Sequence, residues 1–241
     1  MADPTDIPTD TGPTDEGRHP AGAPRRWLTA LLVSVIAVGL LAAGGGLAVA
    51  LGIGRTGTPT ADSVDAGFAR DMSRHHLQGV EMANVALDRS GDADVRQLAF
   101  DISSTQTNQV GRMQGWLALW GLPLTSGQVM GWMGGEDMSG MDHGMSHSSG
   151  ATDGAVMPGM ATETELAELR TLSGSAFDVR FLQLMIRHHQ GGLEMAQYGR
   201  QHAAEAAVRG LARSIAESQT AETTTMEQML RARGGAPLPG S

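Results

Sequence analysis

An internal repeat at a single offset narrows the range of folds open to this chain. Residues 62–121 recur 113 positions later, as residues 175–234, without a gap in the register. Self-similarity of this kind indicates a duplicated supersecondary unit. The residues shared by the first parts of the two copies are Asp65, Phe68, Met72, His75, His76, Gly79, Glu81, Met82 and Ala83, which match Asp178, Phe181, Met185, His188, His189, Gly192, Glu194, Met195 and Ala196.

Each copy has the pattern of a helical hairpin. Capping residues at helix starts and Gly or Pro at helix ends predict helices over about 63–89, 92–120, 175–202 and 204–233. One hairpin cannot bury its own apolar stripe, so we expect an all-α fold in which the two hairpins pack as a four-helix bundle over 62–234.

Two further features refine the helix prediction. Thr162 followed by Glu165 forms a capping-box pattern, which predicts a short helix to about Leu172. Ser175 followed by Asp178 predicts the start of the next long helix.

An apolar run precedes the repeat. From Trp27 to Gly54 the chain carries no charged side chain, and at about 1.5 Å per residue this run can cross a hydrocarbon core of roughly 30 Å. We therefore predict one transmembrane helix within 25–54, with membrane contact through residues 27–54. Ala48-Val49-Ala50 fits a signal-peptide cleavage site, so a cleaved signal is the alternative to an uncleaved anchor.

The flanks of the apolar run predict its orientation. Arg18, Arg25 and Arg26 precede it and only Arg55 follows closely, which places the N-terminus in the cytoplasm and the rest of the chain outside. Residues 1–24 read as a disordered cytoplasmic tail, residues 55–61 as a linker and residues 235–241 as a disordered C-terminal tail.

The composition excludes several kinds of site. The chain has no cysteine, which excludes disulfides, thiolate zinc sites and iron–sulfur clusters. It also has no lysine, so all 17 basic side chains are arginine. The formal net charge of −9 argues against a nucleic-acid partner, because phosphate binding needs a basic face.

The repeated helices carry histidine and methionine together. At about 100° per residue these side chains fall on one face, whereas Arg70, Arg74 and Glu81 fall opposite, on the expected solvent face. Two identical M-x-x-H-H patterns are hard to justify as packing, because each buried imidazole needs polar partners. The candidate metal ligands on the helices are Met72, His75, His76, Met82, Met185, His188, His189 and Met195.

Gln106 and Gln219 lie on the apolar stripes of the second and fourth helices. We expect their amides to hydrogen-bond the imidazole nitrogens that are not used for metal. Core packing is the alternative interpretation for a single methionine such as Met82 or Met195, because methionine at helical spacing commonly fills a core.

The segment 122–161 between the two copies is rich in Gly, Ser and Met, and we expect it to lie outside the core. We expect methionine to have no packing role there. Thioether and imidazole ligands without thiolate select a soft monovalent ion, Cu(I) or its mimic Ag(I), whereas zinc prefers Cys, His or carboxylate. The candidate loop ligands are Met138, Met141, His143, Met145, His147, Met157 and Met160. A flexible linker without metal is the alternative.

These motifs also resemble a known family. The pattern D-x-x-F-x-x-x-M-x-x-H-H-x-x-G-x-E-M-A occurs at Asp65–Ala83 and again at Asp178–Ala196, and Met-Pro-Gly-Met stands at Met157–Met160. This is similar to the bacterial domain of unknown function 305 family, which includes CopM-like copper-binding proteins. The resemblance covers about 62–234. It implies a ferritin-like four-helix fold and, for CopM-like members, extracytoplasmic binding of Cu(I) and Ag(I) in metal resistance.

Three functions compete at this point. The leading hypothesis is a membrane-anchored, non-enzymatic protein that sequesters Cu(I) outside the membrane or exchanges it with a copper donor or acceptor protein. A di-iron or di-manganese carboxylate oxidase would use Glu-x-x-His on its helices. No glutamate within 62–234 is followed three residues later by histidine, and Glu81 and Glu194 fall on the wrong face. A metal-free, partner-binding bundle is the third hypothesis.

Overall fold

The computed structural model describes residues 25–50, 57–134 and 154–238. Within these ranges helices are the regular secondary structure and no β-strand is present, which confirms the expected fold class. The chain divides into two units, Met1–Thr56 and Gly57–Ser241. The helices are α1 (Arg25–Ala50), α2 (Val64–Arg89), α3 (Ala93–Leu119), α4 (Glu163–Thr171), α5 (Gly174–His202) and α6 (Ala206–Ala232).

The first unit contributes one apolar helix. Within α1, Trp27–Leu47 forms a run of 21 residues that is long and apolar enough to cross a membrane. Its side chains are exposed to the surroundings rather than packed in a protein core. By length and composition this helix suits a membrane anchor and a signal sequence equally.

Capping chemistry sets several helix ends in the second unit. The Asp92 carboxylate accepts hydrogen bonds from the first backbone N–H groups of α3. Thr162 and Glu165 make the predicted capping box at the start of α4. The predicted start at Ser175 is wrong by a short margin, because α5 already begins at Gly174, which has a φ of 59°.

The four long helices pack as two hairpins. α2 lies along α3 and α5 lies along α6, while contacts between α2 and α5 join the hairpins and α4 lies against both central helices. The core has two apolar clusters. The Phe68 cluster includes Phe68, Met72, Met113, Leu117, Met195, Leu211 and Ile215. The Phe181 cluster includes Met82, Ile102, Leu169, Phe181, Met185, Met226 and Leu230. The Phe68 cluster combines the start of α2 with the end of α5, and the Phe181 cluster combines the end of α2 with the start of α5. These two central helices therefore run antiparallel.

Each hairpin holds the turn of the other through a buried aspartate. Asp65 on α2 accepts hydrogen bonds from the backbone N–H groups of Ala204 (3.0 Å) and Glu205 (2.8 Å), between α5 and α6. Asp178 on α5 accepts from the Ser90 hydroxyl (2.6 Å), between α2 and α3. Buried carboxylates need such partners, so these bonds tie the two hairpins together at both ends.

One expectation about the solvent faces of the helices is wrong. Arg70, predicted on the solvent face, is buried and donates to the Ala61 carbonyl, because the chain before α2 folds back over it. Arg74 is exposed, as expected.

The segment between the hairpins also enters the core at its two ends. Trp132, Met133, Met157 and Met160 are buried in the Phe68 cluster, so these methionines do have a packing role. The buried Asp71 anchors the first end, because its carboxylate accepts from the Trp132 indole N–H at 2.8 Å. The remaining predicted loop ligands lie outside the described residues: Met138, Met141, His143, Met145 and His147.

Candidate metal centre

The four repeated histidines form a polar layer between the two apolar clusters. All four imidazoles are fully buried. The His75 and His188 rings lie face to face across the α2–α5 contact, with centroids 3.8 Å apart and planes tilted by 32°. His76 and His189 lie further out, with ring centroids 6.3 Å and 6.2 Å from those of His75 and His188. The two M-x-x-H-H motifs therefore meet in one layer, which we call the histidine layer.

The outer histidines are oriented by side chains from the neighbouring helix of their own hairpin. His76 Nε2 lies 2.7 Å from Gln109 Oε1 on α3. His189 Nε2 lies 2.6 Å from Glu222 Oε2 on α6. Both acceptors are oxygens without a proton to give, so each Nε2 carries the hydrogen and donates it.

The inner histidines are oriented by backbone carbonyls. His188 Nε2 donates to the carbonyl oxygen of His75 at 2.9 Å. His75 Nε2 donates to the carbonyl oxygen of Pro158 at 3.1 Å. Pro158 belongs to the segment 157–161, which we call the strap. The strap is fixed to α2 because the Gln78 amide makes two hydrogen bonds with the backbone of Ala161.

The other ring nitrogen is unpaired in all four histidines. Each Nδ1 is buried and has no hydrogen-bond partner in the part of the chain that the structure describes. With the hydrogen on Nε2, Nδ1 of a neutral imidazole presents a lone pair. Leaving a buried polar atom without a partner costs about 1–3 kcal/mol. Histidine ligands in metal sites commonly donate their second ring N–H to a carbonyl or carboxylate, so this arrangement suits metal binding through Nδ1.

Burial keeps three of the imidazoles neutral. Removal from water lowers the pKa of His75 to about 4. It also lowers the pKa of His76 to about 3, with repulsion from His75 adding to the effect. The pKa of His188 lies well below its ordinary value for the same reasons, burial first and His75 second. At neutral pH these three rings therefore hold lone pairs that a metal ion can use without displacing a proton.

Two glutamine amides face the histidine layer without partners. The side-chain nitrogen and oxygen of Gln106 and Gln219 are buried and make no hydrogen bond with the described residues. The expected bonds from these amides to the imidazoles are therefore absent, and Gln109 and Glu222, three residues further along each helix, hold the outer rings instead. Sequence reasoning missed this pair, although the repeat offset matches the two positions.

Glycines make room for these amides. A Cβ atom on Gly79 would lie 2.3 Å from Gln106 Oε1 and 3.0 Å from His188 Cε1. A Cβ atom on Gly192 would lie 2.8 Å from Gln219 Nε2 and 3.1 Å from His75 Cε1. Each glycine thus lies against a glutamine of its own hairpin and an inner histidine of the other.

The predicted methionines flank the histidine layer on both sides. Met72 and Met195 are buried in the Phe68 cluster, and Met82 and Met185 are buried in the Phe181 cluster. In the described ranges no three His, Asp or Glu side chains converge as ligands of one metal ion. Methionine thioethers, which bind soft ions, lie on the same helices as the histidines.

The carboxylates predicted on the solvent face take no part in the histidine layer. Glu194 is exposed. Glu81 is partly exposed and forms an ion pair with Arg170 of α4. A carboxylate-bridged di-metal site would need such groups on the inner faces of the helices.

Comparison with known proteins gives the same fold. The family model described as Domain of unknown function (DUF305) matches residues 65–230. A DUF305 protein of Streptomyces coelicolor, named as a secreted protein, is 43% identical, with 75% of this chain and 98% of that chain covered and a TM-score of 0.65. A DUF305 fragment from Deinococcus radiodurans is 32% identical, with 70% and 96% covered and a TM-score of 0.57.

A more distant relative shares the fold. CopM in its Cu(II)-bound form is 24% identical, with 70% of this chain and 97% of that chain covered and a TM-score of 0.53. No curated protein matches the chain. The match of the family model over most of the chain, with the identity to the Streptomyces structure, shows that this chain belongs to the DUF305 family.

Proposed function

We propose that this protein binds Cu(I), with Ag(I) as a mimic, through histidine and methionine side chains, and that it sequesters or transfers the ion outside the cytoplasmic membrane. The observation that carries the proposal is the set of four fully buried imidazoles whose Nδ1 atoms have no partner among the described residues. Such atoms are costly to bury unless a ligand engages them.

The chemistry of the surrounding side chains favours a soft monovalent ion. Met72, Met82, Met185 and Met195 lie on the same helices as the histidines and are buried beside them. Thioether and imidazole ligands suit Cu(I), and no thiolate competes because the chain has no cysteine. CopM, which shares the fold, has been solved in Cu(II)-bound and Cu(I)-bound forms, which supports copper as the first metal to test.

The strap links the histidine layer to the methionine-rich segment. Pro158 bonds His75, and Met157 and Met160 on either side are buried in the bundle. We infer that Met138, Met141, His143, Met145 and His147 form a second set of ligands before the strap, which collects the ion for transfer to the bundle.

We also propose that α1 anchors the protein, with the bundle outside. The run Trp27–Leu47 is long enough to span, and the arginines on its N-terminal side favour a cytoplasmic N-terminus. The name of the relative from Streptomyces, which describes it as a secreted protein, supports an extracytoplasmic place for the bundle.

The proposal is tested by removing the Nδ1 atoms together. His75, His76, His188 and His189 are each replaced by Gln, because the Gln amide nitrogen preserves a donor near Nε2 while Nδ1 is lost. We expect the full-length variant, purified in detergent, to bind fewer Ag(I) and Cu(I) ions per chain in equilibrium dialysis with metal analysis.

Two controls make the result interpretable. His202→Gln changes an exposed histidine at the end of α5 and should leave the metal content at the parent value. Circular dichroism establishes that the quadruple variant keeps its helices. A folded quadruple variant that binds as much copper as the parent would show that the histidine layer is packing. Iron in place of copper in the parent protein would favour the oxidase.

A further inference from the structure

One polar contact differs between the hairpins at otherwise matching positions. His76 and His189 stand 113 residues apart, and so do their acceptors, Gln109 and Glu222. The two bonds have closely similar lengths, 2.7 Å and 2.6 Å. The outer histidines therefore share one geometry, while the acceptor is a neutral amide in the first hairpin and a carboxylate in the second.

The negatively charged carboxylate of Glu222 lies next to the His189 imidazole. The imidazole is fully buried, and the carboxylate side chain is 24% exposed at the edge of the bundle. Among the ion pairs of the described residues, none joins Glu222 to an arginine. Since no arginine in the described part of the chain pairs with this carboxylate, its negative charge acts on the imidazole.

A carboxylate that accepts the hydrogen bond from Nε2 of a ligating histidine changes how strongly Nδ1 of the same ring binds a metal ion. A hydrogen bond to an ionised acceptor is roughly twice as strong as one to a neutral acceptor, so it holds the ring and its tautomer more firmly. The carboxylate also raises the electron density at Nδ1, and its charge stabilises a cation bound there. A neutral amide in the same place orients the ring without the second effect.

We propose that Glu222 is a positioning residue that makes His189 the stronger metal-binding histidine of the outer pair, so that the second hairpin binds Ag(I) or Cu(I) before the first. This inference rests on the proposed function and adds to it the order in which the two hairpins bind metal, which we call the order of filling. Substitution of groups that bond a ligating histidine typically changes metal affinity by 10- to 100-fold, which sets the expected difference between the hairpins at about that range.

The repeat supplies the matched variants. Glu222→Gln gives the second hairpin the amide of the first, and Gln109→Glu gives the first hairpin the carboxylate of the second. The double variant exchanges the two. Each new residue already occurs at the matching position of the other hairpin, so the local geometry accepts it.

The probe is Ag(I), added stepwise to the full-length protein in detergent at pH 7.5 with ¹⁵N-labelled histidine. Single His→Gln variants assign each ring. Before metal is added, the Nε2–H proton of His189 should resonate further downfield than that of His76, and Glu222→Gln should remove the difference. On titration, Nδ1 of His189 should respond to Ag(I) at lower concentration than Nδ1 of His76.

The double variant gives the decisive result. If the proposal is right, the order of filling is reversed in the double variant and disappears in Glu222→Gln. If His189 binds Ag(I) before His76 in every variant, the role of Glu222 is refuted, although the proposed metal binding is retained. Absence of any Nδ1 response to Ag(I) in the parent protein would instead refute the proposed function, and the order of filling with it.

Discussion

Acid should destabilise the bundle in a pH range that isolates the histidine layer. Histidine has a pKa near 6.5 in an unfolded chain, while His75 and His76 have pKa values of about 4 and about 3 in the fold. Between pH 6.5 and 5 the unfolded chain therefore takes up protons at these positions and the folded protein does not. Stability is complete above pH 6.5 and falls as the pH drops through that value.

The size of the loss follows from the same pKa values. At pH 5 the linkage relation gives about 2 kcal/mol for His75 and about 2 kcal/mol for His76, hence about 4 kcal/mol for both. His188, whose pKa is also lowered, adds a loss of the same sign. Typical domains are stable by about 5–15 kcal/mol, so the effect is a large share of the total.

The assay is urea unfolding of the full-length protein in detergent at pH 7.5 and pH 5, followed by near-ultraviolet circular dichroism. Replacement of His75 and His76 by Gln should remove about 4 kcal/mol of the difference between the two pH values. His202→Gln should keep the parent difference, because that side chain is exposed. A parent protein that is as stable at pH 5 as at pH 7.5 would refute the burial of neutral imidazoles.

Three further predictions concern topology, the loop and the glycines. Protease added to intact spheroplasts should digest residues 57–241, and complete protection would contradict the outward orientation. Replacing residues 135–153 by a Gly/Ser linker should remove a weaker class of Ag(I) sites and leave the tighter class, because the buried histidines of α2 and α5 remain in place; loss of the tightest class would make the loop the principal site. Gly79→Ala should destabilise the bundle, because overpacking costs about 1–3 kcal/mol and outweighs the gain in helix propensity. Gly111→Ala has nothing within 4 Å of its Cβ, so it should instead stabilise by up to about 1 kcal/mol.

Much of the bundle could be predicted from the sequence because its signals are local. The capping box at Thr162 and the cap at Asp92 depend on a few adjacent residues, and both are present. The repeat indicated two hairpins, since a duplicated segment must pair its apolar faces. Arg70 could not be placed, because its burial depends on the chain before α2 folding back to Ala61.

The partners of the imidazoles could not be predicted, because they come from other elements. Pro158 lies 83 residues from His75, and nothing in the local pattern indicates that a carbonyl of the strap reaches that ring. The repeat could have pointed to Gln109 and Glu222, because these two positions match at the repeat offset. Helical periodicity instead favoured Gln106 and Gln219, which lie on the apolar stripes of their helices. The choice between neighbours on one helical face depends on side-chain reach, which periodicity does not specify.

The meeting of the two motifs follows from symmetry. His75 lies near the middle of α2 and His188 near the middle of α5, and these helices are antiparallel and in contact. Two antiparallel copies of one helix are related by an approximate two-fold axis, and residues close to that axis must face their own copies. His75 and His188 therefore face each other, and a difference between the hairpins disturbs this centre least where it lies away from the axis. The Gln109 and Glu222 positions lie there, so a duplicated chain can give its two halves unequal metal affinity without disturbing the shared centre.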